Sequence, residues 1–362
     1  MSISSFLTGN MTKIHQNGGN EMEKAESAWI TRANNTVYRP GQTTGHYESF
    51  FLRANHPSLP LAFWIRYTIF SPQGHPEKAI GELWAVYFDG QNGLDFAFKK
   101  EVPFNQCSFS SSGLDAKIGD ALLNTGSLTG SASTDDHEIK WDLTYSGNSK
   151  PLFLLPLKMY SAGFPKAKSI VPLPMAQFNG SLIVDGKTVN IDKWMGSQNH
   201  NWGSKHTDLY AWGQVAGFDN NPDSFLEVAT ARVKIGPFWT PNMTPIVLRR
   251  HKGEEYALNS IAQTLKARGH FTYFDWQFSS ENDVVSLAGR ITGDRNQFVG
   301  LNYYNPPGGN KHCLNSKIAS CDLRISYKQG ANRGSSDLLT TRNRAAFEIL
   351  TDKRDHGITI QV

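Results

Sequence analysis

The segment Ser197-Gln-Asn-His-Asn-Trp-Gly-Ser-Lys-His-Thr-Asp-Leu-Tyr-Ala-Trp-Gly-Gln214 holds the densest concentration of polar and aromatic side chains in the sequence. On a strand, Tyr210, Trp212 and Gln214 share one face, and Ala211, Gly213 and Val215 share the other. The first face offers π-surface and hydrogen bonds together, as the wall of a binding site would. The second is small enough for close packing against another layer. Alternatively, both tryptophans fill a core and the glycines mark a turn, since aromatic strands are common in barrels. In the next strand Phe225, Glu227, Ala229, Ala231 and Val233 alternate with Leu226, Val228, Thr230, Arg232 and Lys234. A carboxyl among Phe, Ala and Val loses hydration, which raises its pKa. Glu227 can then hold a proton at neutral pH and act as a general acid. An ion pair with a neighbouring strand is the other reading. Glu48 and Glu82, each beside aromatic residues, raise the same question.

His200 and His206 are six apart on what reads as a loop, a spacing with no standard ligand geometry, and no Cys or paired carboxylate stands nearby. No metal site is expected. His200 instead suits hydrogen bonding to structural groups or to a ligand oxygen. The sequence has no Gly-x-Ser-x-Gly elbow, no phosphate-binding loop, no His-Glu-x-x-His and no dinucleotide fingerprint, so no cofactor is expected. With 36 Lys and Arg against 32 Asp and Glu, the net charge is only +4, and no run of five basic residues occurs. The basic stripe of a nucleic-acid-binding protein is therefore missing. Cys107, Cys313 and Cys321 cannot all pair within one chain and form no Cys-x-x-Cys. Three reduced thiols in a reducing compartment fit, although Cys313 and Cys321 could meet across a strand pair.

Strand signals dominate the elements that must position these groups. Tyr47–Arg53, Ala62–Phe70 and Gly81–Asp89 are rich in aromatic and β-branched residues, with turn-forming clusters between them. The rhythm continues through Glu138–Tyr145 and Ser181–Val184, then from Asp208–Phe218 to Ala345–Leu350, including Ala262–Ala267. It predicts an all-β chain, a sandwich or barrel. Only Gly113–Leu122 and Pro165–Ser169 suggest short helices. Prolines 151, 156, 165, 172 and 174 interrupt an apolar stretch and mark a connection or an edge. Length predicts two domains: a flexible leader over 1–24, a first β domain over 25–187 and a second over 188–362. No stretch approaches the roughly 18 apolar residues of a membrane helix, and the first residues lack the basic and apolar regions of a signal peptide. A cytoplasmic protein without a membrane span is expected, and its oligomeric state is left open.

At Gln198-Asn-His-Asn-Trp-Gly203, His206 and Tyr210-Ala-Trp-Gly-Gln214 the sequence resembles the lipocalin-like family of AttH-type proteins and carotenoid 1,2-hydratases. Asn305-Pro-Pro-Gly308, Cys313-Leu-Asn-Ser-Lys-Ile-Ala319 and Arg344-Ala-Ala-Phe-Glu-Ile-Leu-Thr351 extend the likeness. It is clearest over residues 194–351. The resemblance implies two tandem lipocalin-like β-barrel domains with a ligand pocket within or between them. It also implies hydratases of polyene isoprenoids among the relatives, and cofactor-free Diels–Alder cyclases of natural-product biosynthesis among more distant kin.

The partner this leads to is a hydrophobic, polyene-like small molecule. For cyclisation, Tyr210, Gln214 or His200 would hydrogen-bond an activating carbonyl while Trp202 and Trp212 shape the cavity. Gln198 and Asn201 complete the substrate-binding set. For hydration or acid-initiated cyclisation, Glu227 would protonate an alkene and the indole faces would stabilise the cation. A non-catalytic carrier of an apolar ligand is the reading from another class.

Overall fold

A computed structural model describes residues 23–134 and 136–362. The leader expected over 1–24 lies, apart from its last two residues, outside the described residues. A helix, α1, spans 23–32. The strands β1 (His46–Asn55), β2 (Leu61–Ser71), β3 (Ile80–Asp89) and β4 (Leu94–Pro103) then form an antiparallel meander. Short strands β5 (Cys107–Phe109), β6 (Asp115–Ile118) and β7 (Ala121–Asn124) lead into β8 (Ser127–Ser133) and β9 (Glu138–Ser146). After β10 (Leu152–Phe153) and helix α2 (Leu157–Ser161), the long strands β11 (Ala167–Val184) and β12 (Lys187–Gly203) return to pair with β1. The sheet runs β4-β3-β2-β1-β12-β11-β9-β8-β7-β6-β5, with β10 on β11.

The second sheet begins with β13 (Leu209–Phe218) and β14 (Asn221–Arg232). A two-stranded ribbon follows, β15 (Lys234–Ile235) with β16 (Phe238–Trp239). The chain continues through β17 (Ile246–Arg249), β18 (Glu255–Leu258), helix α3 (Ile261–Lys266), β19 (Arg268–Phe271), β20 (Asp275–Glu281) and β21 (Val285–Thr292). It ends with β22 (Val299–Tyr304), β23 (Asn310–Tyr327) and β24 (Ser336–Thr351). The order is β18-β17-β14-β13-β24-β23-β21-β20-β19, with β22 on β23.

Each sheet curls into a near-closed, lipocalin-like barrel around its own core, as the sequence predicts. In the first barrel, Phe50, Phe63, Phe98, Ile118, Leu128 and Trp194 pack together across the lumen. The Tyr67 hydroxyl donates across it to the Leu122 carbonyl at 2.8 Å. In the second, Val215, Leu226, Trp276, Leu287, Leu323 and Phe347 do the same. Gly213 is part of that fit, because a Cβ there would lie 2.4 Å from the Ile291 side chain. Both lumens are therefore packed cores.

The strands that join the barrels are buried on both faces. Along β2, Phe63, Ile65 and Tyr67 face the first core. Ala62 and Trp64 instead pack with Trp212, Leu301, Tyr303 and Ala346 of the second barrel. Every residue of β1 is buried. By sheet membership the first unit extends to Gly203 and the second begins at Leu209. The junction expected at 187/188 falls at the start of β12, just after its turn from β11, and both of those strands belong to the first sheet.

Several sequence expectations need correction. Gly113–Leu122 and Pro165–Ser169 are not helical. The first contains the β6–β7 hairpin, turning at Gly119 with φ +57°, and the second runs into β11. Two short amphipathic strands around a glycine had mimicked a helical period. Ala262–Ala267, expected as a strand, is α3, started by a capping box of Ser260 and Gln263. Pro172 and Pro174 lie within β11, beside register shifts between Ile170 and Leu173 and between Pro174 and Ala176. There β11 pairs with β12 on one side while β9 joins only from Gln177 onward, so the prolines occupy a locally free edge. Cys313 and Cys321 are on one strand, β23, about 26 Å apart in extended chain, and all three cysteines are free.

Candidate functional site

The alternation read from sequence on β13 and β14 is what builds the site. Ala211 and Val215, with Leu226 and Val228, enter the second core. Tyr210, Trp212, Ala229, Ala231 and Val233 instead line a cavity of about 410 Å³ between the barrels. That volume lies within the roughly 300–1,000 Å³ of small-molecule sites. The first barrel contributes Tyr47 and Phe51 from β1, Trp64 and Arg66 from β2, Lys168 from β11 and Asn201 from β12. Tyr303 of β22 and Glu348 of β24 complete the inner end. Leu154, Pro156, Met159, Phe164, Met243, Ile261 and Leu265 form apolar walls toward the opening.

The inner end is polar and short of partners. Arg66 is 6% exposed, and its guanidinium carbon lies 4.6 Å from the centre of the Tyr303 ring. Three buried polar atoms of the lining, Arg66 Nε, Trp64 Nε1 and Asn201 Oδ1, have no hydrogen-bond partner among the described residues. Buried polar groups are normally paired, and these three belong to residues that line one cavity. Burial pushes the Tyr47, Tyr210 and Tyr303 hydroxyls well above the ordinary phenol range, with Arg66 opposing, so all three remain donors. His206 stacks on Tyr47 with centroids 3.9 Å apart. Its burial, with the charges of Arg66 and Lys311, lowers its pKa to about 3, which keeps the ring neutral. Burial lowers Lys168 to about 8, and its ammonium donates to the Met159 and Ala162 carbonyls at 2.6 and 3.0 Å. Glu348 is paired with Lys317 at 2.8 Å and accepts from Asn315 at 3.1 Å.

Beside the cavity the barrels are joined by a buried polar seam. Gln214 is its centre: its Oε1 accepts from Arg53 Nε at 2.8 Å and Ser197 Oγ at 2.6 Å. Its Nε2 donates to Asn199 Oδ1 at 2.8 Å and Glu227 Oε2 at 2.7 Å. Trp212 Nε1 donates to Glu227 Oε1 at 2.8 Å. Burial raises Glu227 to about 7, against the Trp212 and Gln214 hydrogen bonds and the Arg53 charge. Arg53 also reaches Asn55 at 2.7 Å, and Asn55 holds the Lys317 carbonyl across the interface at 2.7 Å.

The motif on β12 divides between two environments. The register sets Ser197, Asn199 and Asn201 opposite Arg53, Phe51 and Ser49, on the face toward the second barrel. Gln198 and His200 lie opposite Leu52 and Phe50, on the inner face of the first. His200 stacks on Phe50 at 4.2 Å. Its Nε2 meets Glu48 Oε1 at 2.8 Å, and its Nδ1 meets the Ala33 carbonyl at 2.7 Å. Both neighbours of the ring are hydrogen-bond acceptors. Glu48 further accepts from His46 at 3.0 Å and from the backbone N–H groups of Val37 and Tyr38, each at 2.7 Å. Burial would raise the Glu48 pKa, but these hydrogen bonds and the histidine charges outweigh it and hold it at about 2. Trp202 packs with Trp29 of α1, Tyr160 and Ile170. Gln198 donates to the Asn199 carbonyl at 3.3 Å.

Of the residues expected in the site, Asn201, Tyr210 and Trp212 line the cavity, Gln214 and Glu227 lie in the seam, and Gln198, His200 and Trp202 lie on the far side of β12. Sequence reasoning missed Tyr47, Trp64, Arg66, Lys168, Tyr303 and Glu348. One signal was available: Arg66 interrupts the apolar run Ala62–Phe70, and a charge inside a buried strand calls for a partner.

No protein-family model matches the chain. Two uncharacterized proteins of Mycobacterium tuberculosis, MT0513 and Rv0493c, are each 25% identical over 189 residues, 52% of this chain and 56% of theirs. The match thus spans little more than half the length of these relatives. The fold is shared with AttH (NE1406) of Nitrosomonas europaea, at TM-score 0.53 and 12% identity over 85% of this chain and 91% of that one. Kievitone hydratase of Nectria haematococca matches at TM-score 0.53 and 13% identity, over 89% and 95%. CghA matches at 0.52 and 10%, over 88% and 93%. The chain has the AttH-like, lipocalin-like fold that its motif led us to expect. Among the described residues no helix is long and apolar enough to cross a membrane.

Proposed function

We propose that this chain is a cofactor-independent enzyme that folds and cyclises an apolar, unsaturated small molecule in the cavity between its barrels. The observation that carries the proposal is the pairing of long apolar walls with an inner end where Arg66, Tyr47, Tyr210 and Tyr303 converge and where Arg66 Nε and Trp64 Nε1 have no acceptor among the described residues. An extended chain confined by Trp64, Trp212, Phe51 and Met159 loses the conformational freedom that opposes ring closure. A conjugated carbonyl set among the phenols and the guanidinium is polarised, and the charge growing on its oxygen during bond formation meets preorganised donors. In a Diels–Alder closure two carbon–carbon σ bonds form and three π bonds become one. Product and substrate are isomers, and no proton or electron leaves the system.

The positions of the acids favour this reading over alkene protonation. Glu227, the carboxyl with the raised pKa, is held by Trp212 and Gln214 in the seam and is not part of the cavity lining. Glu348 lines the cavity but is paired with Lys317. Hydration of an alkene is the second reading, supported by the shared fold with kievitone hydratase. A Tyr or the Glu348–Lys317 pair would then have to move the proton.

The test is native mass spectrometry of the purified protein, extraction of what it carries, and incubation with that compound or its unsaturated precursors. An isomeric product supports cyclisation, and a gain of one water supports the hydratase. A ligand returned unchanged under all conditions sinks both in favour of a carrier.

A further inference from the structure

The cavity opens among side chains that water does not favour. Phe164, before β11, Ile235 in β15, and Ile261 and Leu265 in α3 line the opening and are 45%, 62%, 58% and 49% exposed. Phe238 and Trp239 stand beside them in β16, and Phe238 is 75% exposed. These six come from three stretches of chain far apart in sequence, yet four of them line one opening and Phe238, paired with Ile235, and Trp239 flank it. A contiguous exposed apolar patch is a mark of an interaction surface.

The charges around the patch have one sign. Residues 156–168, 231–245 and 259–268 supply every element of this rim, and they contain seven Lys or Arg and no Asp or Glu. Of these, Lys158, Lys166, Lys234 and Lys266 are exposed and Arg232 is half-buried. Arg232 and Lys234 lie over the Trp239 ring, 5.0 and 4.9 Å from its centre. The acid that approaches them, Asp208, is already held by Lys205 at 2.7 Å and by the Lys234 backbone N–H at 2.9 Å. Over the whole chain the excess of basic residues is only four, so this rim is a local concentration.

We propose that the rim is a docking face for an anionic lipid bilayer, from which the apolar ligand enters the cavity. The ribbon β15–β16 is a hairpin turning at Gly236, with Ile235 paired to Phe238 and Lys234 to Trp239. Its tip enters the interface while Lys234 at its base stays at the headgroups, the arrangement of a peripheral anchor. Each basic side chain near such a surface adds to the attraction, and the effect is screened by salt. The opening then faces the phase in which an apolar molecule concentrates. That last step rests on the proposed function, but the docking itself does not.

The experiment is sedimentation of the full chain with vesicles of phosphatidylcholine alone and of phosphatidylcholine mixed equally with phosphatidylglycerol. Strong preference for the anionic vesicles, lost on raising salt, is expected, with a blue shift of tryptophan emission. Phe238→Ser should weaken partitioning several-fold while leaving turnover of a detergent-dispersed substrate unchanged. The double variant Lys158→Glu and Lys266→Glu should lower it by roughly tenfold or more. Equal binding to both vesicle types, no binding to either, or wild-type partitioning by both variants overturns the proposal. So does concentration-dependent self-association that buries Trp239 without vesicle binding, which assigns the face to a second copy. Vesicle binding without any turnover leaves the docking face standing and counts against the catalytic reading alone.

Discussion

Glu227→Gln separates a structural carboxyl from a chemical one. Both partners of Glu227 are donors: the Trp212 indole N–H and the Gln214 amide nitrogen. A glutamine of the same shape must turn an NH₂ group toward one of them. Gln214 cannot rotate to help, because its oxygen is held by Arg53 and Ser197 and its nitrogen by Asn199 as well. The variant therefore loses one buried hydrogen bond and gains a facing pair of donors, at about 1–3 kcal/mol. Its pH dependence adds a second signature. The folded chain binds the Glu227 proton more tightly than the unfolded chain, with a pKa of about 7 against 4.5. The stabilisation from protonation is complete below about pH 4.5 and is lost as the pH rises through about 7. That shift corresponds to about 3 kcal/mol. Denaturant unfolding of wild type and variant from pH 4 to 8 gives a difference curve in which the other titrating groups cancel. Wild type should exceed the variant most at low pH, and the gap should shrink by about 3 kcal/mol over that window. Turnover per folded molecule should remain. A flat difference curve refutes the burial argument. Lost turnover at unchanged stability would return Glu227 to the chemistry and favour acid initiation.

Other substitutions address the cavity and its supports. Arg66→Met should lower the rate of the catalysed step by about a hundredfold or more, as loss of a preorganised donor does, and Tyr210→Phe should do so to a lesser degree. Single-turnover kinetics check both, and unchanged rates refute the donor assignment. Ala229→Trp should fill the cavity and abolish ligand binding, measured by quenching of tryptophan emission, while thermal unfolding stays cooperative. Glu48→Gln should cost about 3 kcal/mol at neutral pH, since the Glu48 pKa is held at about 2 against 4.5. A depressed carboxyl stabilises fully above its unfolded pKa and loses that contribution as the pH falls from about 4.5 to about 2. Acid unfolding of wild type should therefore fall in that range, and limited proteolysis of the variant should cut near Ala33–Tyr38.

The strands whose two faces differ in environment were legible in the sequence, and those buried on both sides were not. On β13 and β14 the small and aliphatic residues fill the second barrel while Tyr210, Trp212, Ala229 and Ala231 face the cavity, so period-2 alternation assigned them correctly. On β12 both faces are buried and both are polar: Ser197, Asn199 and Asn201 on one, Gln198 and His200 on the other. Alternation carries no sign there, so it could not separate His200 from Asn201. The inner end of the cavity draws Tyr47, Arg66, Tyr303 and Glu348 from four strands spread over the whole chain. No local motif holds such a set, because pairing between distant strands creates it.

The same topology explains why the site is between the barrels. Lipocalin-like barrels can hold ligands inside, but here Phe63, Trp141 and Trp194 fill one lumen and Trp276, Phe278 and Phe347 the other. The candidate site instead lies where two convex outer faces meet, and such faces touch along a line and diverge. Along the line of contact the hydrogen bonds that Arg53, Ser197 and Asn199 of the first barrel make with Gln214 of the second fix the spacing and tolerate little displacement. Where the faces diverge they leave the cavity, and each barrel supplies part of its donor set: Tyr47 and Arg66 from one, Tyr210 and Tyr303 from the other. The distance between those donors is therefore set by how the barrels dock. Weakening the seam at Arg53, which is not part of the cavity lining, should separate the donors and lower turnover before it unfolds either barrel.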